Sequence, residues 1–139
     1  MNEWKDELER GDVVLVDFNM GAFGNEKRGV RPAVVLSNTL MNRESPNILL
    51  APMTSADNKQ NKNTGRYRLL PTQVYLSNLY YDYLDKASIL QLEDMRSSDK
   101  TRSLRRLGEL SKESIADVDN NLKGMFLIHL DSNENTTHK

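Results

Sequence analysis

Apolar residues along this chain come in short runs cut by glycine, proline and asparagine, and the runs have strand length rather than helix length. Residues 13–18 alternate and are rich in valine, while 33–36 and 48–53 are continuous apolar runs. Residues 66–70, 73–76 and 88–92 predict further strands. Several short strands between turn residues indicate a mainly β chain whose core closes into a small barrel, not a parallel sheet with crossover helices.

Helical spacing is sparser. Residues 3–10 are charged, with Trp4 and Leu8 four apart, and predict a short helix stopped by Gly11. That segment, 1–9, reads as an appendage to a domain spanning 10–130. A turn around Leu40 follows Ser37-Asn38 and is limited by Pro46. The polar, basic segment 98–106 shows no continuous strand pattern. Residues 110–122 predict the clearest helix: Ser111 and Ser114 open it, Ile115, Val118 and Leu122 recur at helical spacing for packing on the core, and Gly124 closes it. The tail 131–139 has no apolar residue and is expected to be disordered.

Composition narrows the chemistry. At 139 residues the chain suits one compact domain, a size that often gains stability by pairing, so a homodimer is expected. It contains no cysteine, which removes thiolate nucleophiles, disulfides and cysteine-held metals and suits a reducing cytoplasm. No apolar run has the length of a signal sequence or membrane span, so a soluble, cytoplasmic protein is expected. The histidines, His129 and His138, both lie at or beyond the end of the last predicted element, so a two-histidine mechanism does not fit, and no cluster has metal-ligand spacing. No metal or cofactor is called for.

The formal net charge is −1, yet between Gly24 and Arg68 eight basic residues stand against three acidic ones. A local cationic patch can bind phosphates whatever the charge of the whole. Within it, Gly29 and Pro32 frame Arg31 at the start of an apolar strand, so its guanidinium can be aimed at a phosphate. A second apolar strand, 47–53, delivers Thr54 and Ser55 and then a polar run, 57–63.

Arg10-Gly11-Asp12-Val13-Val14, Gly29-Val30-Arg31-Pro32, Thr54-Ser55, Asp85-Lys86-Ala87-Ser88-Ile89-Leu90, Leu92 to Lys100 and the 110–122 helix follow one another in an order that resembles the MazF/PemK toxins. The resemblance covers roughly residues 10 to 128. It implies an SH3-like, plasmid-toxin barrel with a C-terminal helix. It also implies a sequence-specific, metal-independent endoribonuclease that cuts single-stranded RNA as a homodimer, and a cognate antitoxin whose flexible, acidic C-terminal segment covers the RNA site. The toxin–antitoxin complex would bind DNA at its own promoter. Arg31 and Thr54 match the family's catalytic pair, and Glu93 retains a carboxylate where some members use an aspartate.

RNA cleavage suits so sparse an inventory, because the substrate's own 2′-OH attacks the adjacent phosphorus, leaving a 2′,3′-cyclic phosphate and a 5′-OH. Arg31 would donate a forked pair of hydrogen bonds to the phosphate, with Thr54 in support. The base is open, since arginine serves poorly and Glu26 and Glu93 are alternatives. Candidate RNA contacts are Asn25, Glu26, Lys27, Arg28, Ser55, Asn58, Lys59, Asp94 and Arg96. Asp94 stands where many relatives carry an amide, so their recognition sequence does not transfer. The cluster Tyr80, Tyr81 and Tyr83 suits core or interface packing before base stacking. Two other readings are a CcdB-like toxin that binds gyrase without catalysis, disfavoured by the lack of a C-terminal tryptophan, and an inactive RNA-binding relative.

Overall fold

The computed structural model describes residues 3–19 and 29–137. The elements are α1 (Glu3–Asp6), β1 (Asp12–Asp17), β2 (Val30–Val35), α2 (Thr39–Glu44), β3 (Asn47–Ser55), β4 (Gln73–Leu76), β5 (Ser88–Gln91), β6 (Arg96–Asp99), β7 (Ser103–Glu109) and α3 (Lys112–Thr137). The strands form one antiparallel seven-stranded sheet in the order β4-β5-β3-β2-β1-β7, with β6 against β3. The pivot is β3, whose first half pairs with β6 and whose last residues pair with β5.

Both faces of the central strands are buried. Val13 and Val34 join one hydrophobic cluster with Met53, Leu90 and Val118, whereas their neighbours Val14 and Val35 join a second with Leu8, Phe18, Ile48 and Leu50. This explains why 33–36 and 48–53 read as unbroken apolar runs, and why 13–16 is apolar at every position instead of alternating as expected.

Several expectations are revised. Residues 3–9 of the expected appendage pack on the domain: Leu8 is only 1% exposed, Trp4 packs on the second cluster, and the Asn42 side-chain amide donates to the Leu8 carbonyl at 2.9 Å. Burying one leucine in this way stabilises by about 1.5–3 kcal/mol. The turn near Leu40 is the helix α2, capped by Asn38, whose side-chain oxygen accepts from the Met41 amide at 3.0 Å.

Residues 66–70 do not form a strand. Asn61 turns the chain by accepting from the amides of Asn63 and Thr64, Gly65 adopts φ +72°, and only the single bridge Gln60–Tyr67 remains. Conversely, 98–106 contributes the second half of β6 and the first four residues of β7. An edge strand that pairs with β1 through two register shifts and stays largely exposed carries no apolar periodicity to read.

The final helix α3 opens as expected, with Ser111 accepting from the Ser114 amide at 3.2 Å. It does not stop at Gly124 but runs to Thr137, so the backbone of the expected disordered tail is helical to that residue, while 138 and 139 lie outside the described residues. Once a helix is nucleated, each further residue adds a hydrogen bond, and a glycine inside it costs only about 1 kcal/mol. Its first turns are seated on the sheet by Gly11, where φ is +95° and a Cβ would lie 2.8 Å from Ile115 Cδ1. An Arg10–Asp119 ion pair ties the same corner. No helix among the described residues is long and apolar enough to cross a membrane.

Candidate active site

Arg31 on β2 and Thr54 on β3 are brought to one cleft. The β2–β3 ladder pairs Val35 with Leu50, Val34 with Ala51 and Ala33 with Pro52. Arg31 precedes the Ala33–Pro52 pair on β2 by two residues and Thr54 follows it on β3 by two, and both line one cleft. On the far sides, Arg31 pairs with Val16 and Thr54 with Ile89. The backbone entering β2 is fixed at Gly29, with φ +83°, whose amide donates to Asn19 Oδ1 at 2.8 Å and whose carbonyl accepts from the Phe18 amide at 2.9 Å. The glycine is required there because a side chain disfavours that backbone conformation.

The two residues border a cleft of about 310 Å³, to which strand residues of both faces contribute where the sheet curls at its end. Its polar lining includes Arg31, Thr54, Ser55, Asp85, Lys86, Ser88 and Arg105, and its apolar lining Leu15, Val30, Pro32, Met53, Leu84 and Leu107. Three cations against one carboxylate make it a place for an anion. Lys86 Nζ also lies 3.8 Å from Asp57 Oδ2, an exposed pair that contributes little to stability but links the β3–β4 and β4–β5 connections at the rim.

Tyr83 closes the cleft beside β7. Its hydroxyl donates to the Glu109 carbonyl at 2.9 Å, and its ring rests on Gly108, where a Cβ would come within 2.4 Å of Tyr83 Cε2. Burial pushes its phenol well above the ordinary range, so it stays neutral. The other tyrosines of the cluster pack: Tyr81 is 5% exposed and hydrogen bonds to Ser111 and Ser114, and Tyr80 stands edge-on to it at 4.8 Å.

The remaining sequence-derived candidates scatter. Glu93 does not line the cleft; its two carboxylate oxygens accept from Thr72 Oγ1 at 2.8 Å and Gln73 Nε2 at 2.7 Å, beyond the far end of β5. Ser55 lines the cleft, with its hydroxyl capping the 3₁₀ turn Ala56–Lys59 by accepting from the Asp57 amide at 3.2 Å. Asn58 and Lys59 belong to that turn and Asp94 to the turn Leu92–Asp94. Arg96 pairs with Leu50 and places its guanidinium 5.8 Å over the Phe18 ring. Asn25, Glu26, Lys27 and Arg28 lie outside the described residues. Among the described residues no group of three or more His, Asp or Glu side chains could hold a metal ion.

Sequence reasoning missed Asp85, Lys86 and Arg105 as cleft residues. Arg105 is opposite Leu15 on β7, so its signal is the basic density of Arg102, Arg105 and Arg106 rather than any strand pattern.

Comparison with known proteins settles the family. Residues 9–126 match the model of the PemK-like, MazF-like toxins of type II toxin–antitoxin systems. The chain belongs to the MazF/PemK toxin family. It is 36% identical over 115 residues to the endoribonuclease MazF of Staphylococcus epidermidis, a match covering 83% of this chain and 88% of that protein. The crystal structure of MazF from Deinococcus radiodurans superposes with a TM-score of 0.65 at 25% identity, over 85% of this chain and 94% of the other. A MazE–MazF complex from the same organism gives 0.62 at 23% identity, covering 86% and 95% of the two chains. The mainly antiparallel MazF fold with its C-terminal helix is therefore the fold seen here.

Proposed function

We propose that this protein cuts single-stranded RNA at the Arg31–Thr54 pair, with the substrate's 2′-OH as nucleophile and without a metal ion. It is an endoribonuclease toxin of the MazF type. The observation that carries the mechanism is the convergence, from two different strands, of a guanidinium and a hydroxyl at a cationic cleft. As the 2′-OH attacks, charge grows on the phosphate's non-bridging oxygens. A fixed guanidinium donating two hydrogen bonds stabilises that charge more than it does the ground state. The Thr54 hydroxyl adds a third donor. The products are a 2′,3′-cyclic phosphate and a 5′-OH.

The protein acts as a homodimer. Val30 on β2 and Leu104 on β7 are 49% and 51% exposed, and such exposed apolar side chains on the two strands beside β1 support pairing with a second copy. A cognate antitoxin neutralises the enzyme by laying a flexible segment with acidic and apolar residues along the cleft, whose own lining mixes cations with leucine, valine and methionine.

The test is incubation of the purified protein with a long single-stranded RNA in EDTA, with the 5′ ends mapped and Arg31→Ala run alongside. Discrete cuts bearing 5′-OH groups, absent with the variant, are the expected result. Cutting that persists in Arg31→Ala, or that requires added metal, overturns the mechanism.

A further inference from the structure

Tyr75 lies on the same cross-strand row as Thr54, which lines the cleft with Arg31. It is opposite Ile89 in the β4–β5 ladder, and Ile89 is opposite Thr54 in the β5–β3 ladder, so Tyr75, Ile89 and Thr54 share one face. Two strand spacings separate Tyr75 from Thr54, a span of about 10 Å. Ile89 between them is fully buried, which fixes that spacing, while Tyr75 is 36% exposed.

A second ring meets it. Tyr67, from the β3–β4 connection, places its centroid 4.6 Å from that of Tyr75 at an interplanar angle of 34°. The connection is held in place by its own backbone: Arg68 donates to the Lys59 carbonyl at 2.8 Å, Asn61 to the Arg66 carbonyl at 2.7 Å, and Gln60 bridges Tyr67. The neighbouring Tyr75 holds the Tyr67 phenol above its ordinary range, so Tyr67 presents a neutral ring. Arg66 and Arg68, on either side of Tyr67, are exposed.

Paired rings between cations are what a protein uses to hold an unpaired base, since every base has a face that stacks and a phosphate beside it. We infer that Tyr67 and Tyr75 form a stacking platform for a base a short distance along the RNA from the bond that Arg31 and Thr54 break. The platform rests on the RNA-cleaving reading of that pair. It positions substrate and takes no part in proton transfer or charge stabilisation.

The test uses a short RNA containing the mapped cleavage site, with 2-aminopurine placed in turn at each neighbouring position. For binding, the 2′-OH at the cut is replaced by hydrogen. With the wild-type protein, fluorescence of one or two of those positions is quenched on binding. Tyr75→Ala abolishes that quenching and raises KM about tenfold with kcat within about twofold, in keeping with the five- to 150-fold that loss of one stacked base produces. Tyr75→Phe, which keeps the ring, restores both. Should Tyr67→Ala loosen its loop, Tyr75→Ala on a hydrogen-bonded strand carries the test alone. Unchanged quenching and unchanged KM in Tyr75→Ala, in a protein that still cuts, overturn the platform and leave the cleavage reading standing. A wild-type protein that neither binds nor cuts RNA overturns both.

Discussion

Arg31 on β2 and Thr54 on β3 line one cleft, each two residues from the Ala33–Pro52 pair that ends the recorded β2–β3 ladder. Neither strand end is free to drift, because β2 is paired with β1 through Arg31 itself and β3 with β5 through Thr54 itself. The pair is thus pre-set, and its substitution should cost catalysis more than folding. Arg31→Ala should lower kcat on a short RNA by at least about 10²- to 10³-fold, the usual loss for one removed donor to a developing oxyanion. Arg31→Lys should stay impaired by about tenfold or more, having kept charge without the fork. Melting temperatures within a few degrees of wild type for both variants would separate this from unfolding.

Glu93 offers a contrast. Both of its oxygens are occupied by Thr72 and Gln73, joining the end of the β3–β4 connection to the turn after β5. Asn121 of α3 donates to the Gln73 carbonyl at 3.0 Å, so the same corner also carries the final helix. Glu93→Gln should therefore leave kcat within a few fold of wild type while lowering stability by about 1 kcal/mol, because a charged acceptor of two hydrogen bonds becomes neutral and its amide nitrogen must turn the Thr72 hydroxyl from donor to acceptor. Urea titration alongside the RNA assay measures both. A hundredfold loss of kcat at unchanged stability would return Glu93 to the chemistry.

What the sequence made legible follows a physical divide. Strands buried on both faces, such as 13–17 and 33–35, announced themselves because burial demands apolar side chains. Arg31 and Thr54 were legible because each ends such a run. The strand β7 was not, since its hydrogen bonds come from β1 and its exposed side chains are under no apolar constraint. The Tyr67–Tyr75 contact was hidden for another reason: a turn built by Asn61 and Gly65 brings the loop back over β4, and no periodicity reports such a return. Glu93 was misleading because its neighbourhood in the chain is not its neighbourhood in space.

The contact of Tyr83 with Gly108 yields a packing prediction. A methyl at 108 would stand 2.4 Å from Cε2 and 2.6 Å from Cδ2 of the ring, too close for any side chain to tolerate. Gly108→Ala should destabilise by about 1–3 kcal/mol through overpacking. Because Tyr83 also walls the cleft, displacing its ring should alter the spread of cleavage sites as well. Combining Gly108→Ala with Tyr83→Ala should recover part of the lost stability relative to the sum of the two single changes, since the clash is gone. Strict additivity in that cycle would mean that the two residues do not touch.

The N-terminal segment provides the last prediction. Leu8 closes the second hydrophobic cluster from below, and its carbonyl is one of two that the buried Asn42 amide holds, the other being that of Ser37, each at 2.9 Å. The Ser37 hydroxyl completes the ring by donating to Asn42 Oδ1, so every polar atom of Asn42's side chain is satisfied in a fully buried place. Leu8→Ala should cost about 2–5 kcal/mol, the range for leucine truncation in a packed core. Asn42→Ala should cost a comparable amount by orphaning two carbonyls and removing the acceptor at the end of the Ser37 hydroxyl, which keeps the Leu49 amide as its donor. Equilibrium unfolding in urea with an unchanged slope is the measurement, and removal of residues 1–8 should destabilise at least as much as Leu8→Ala. An appendage would do the opposite: its removal would leave the unfolding midpoint where it was.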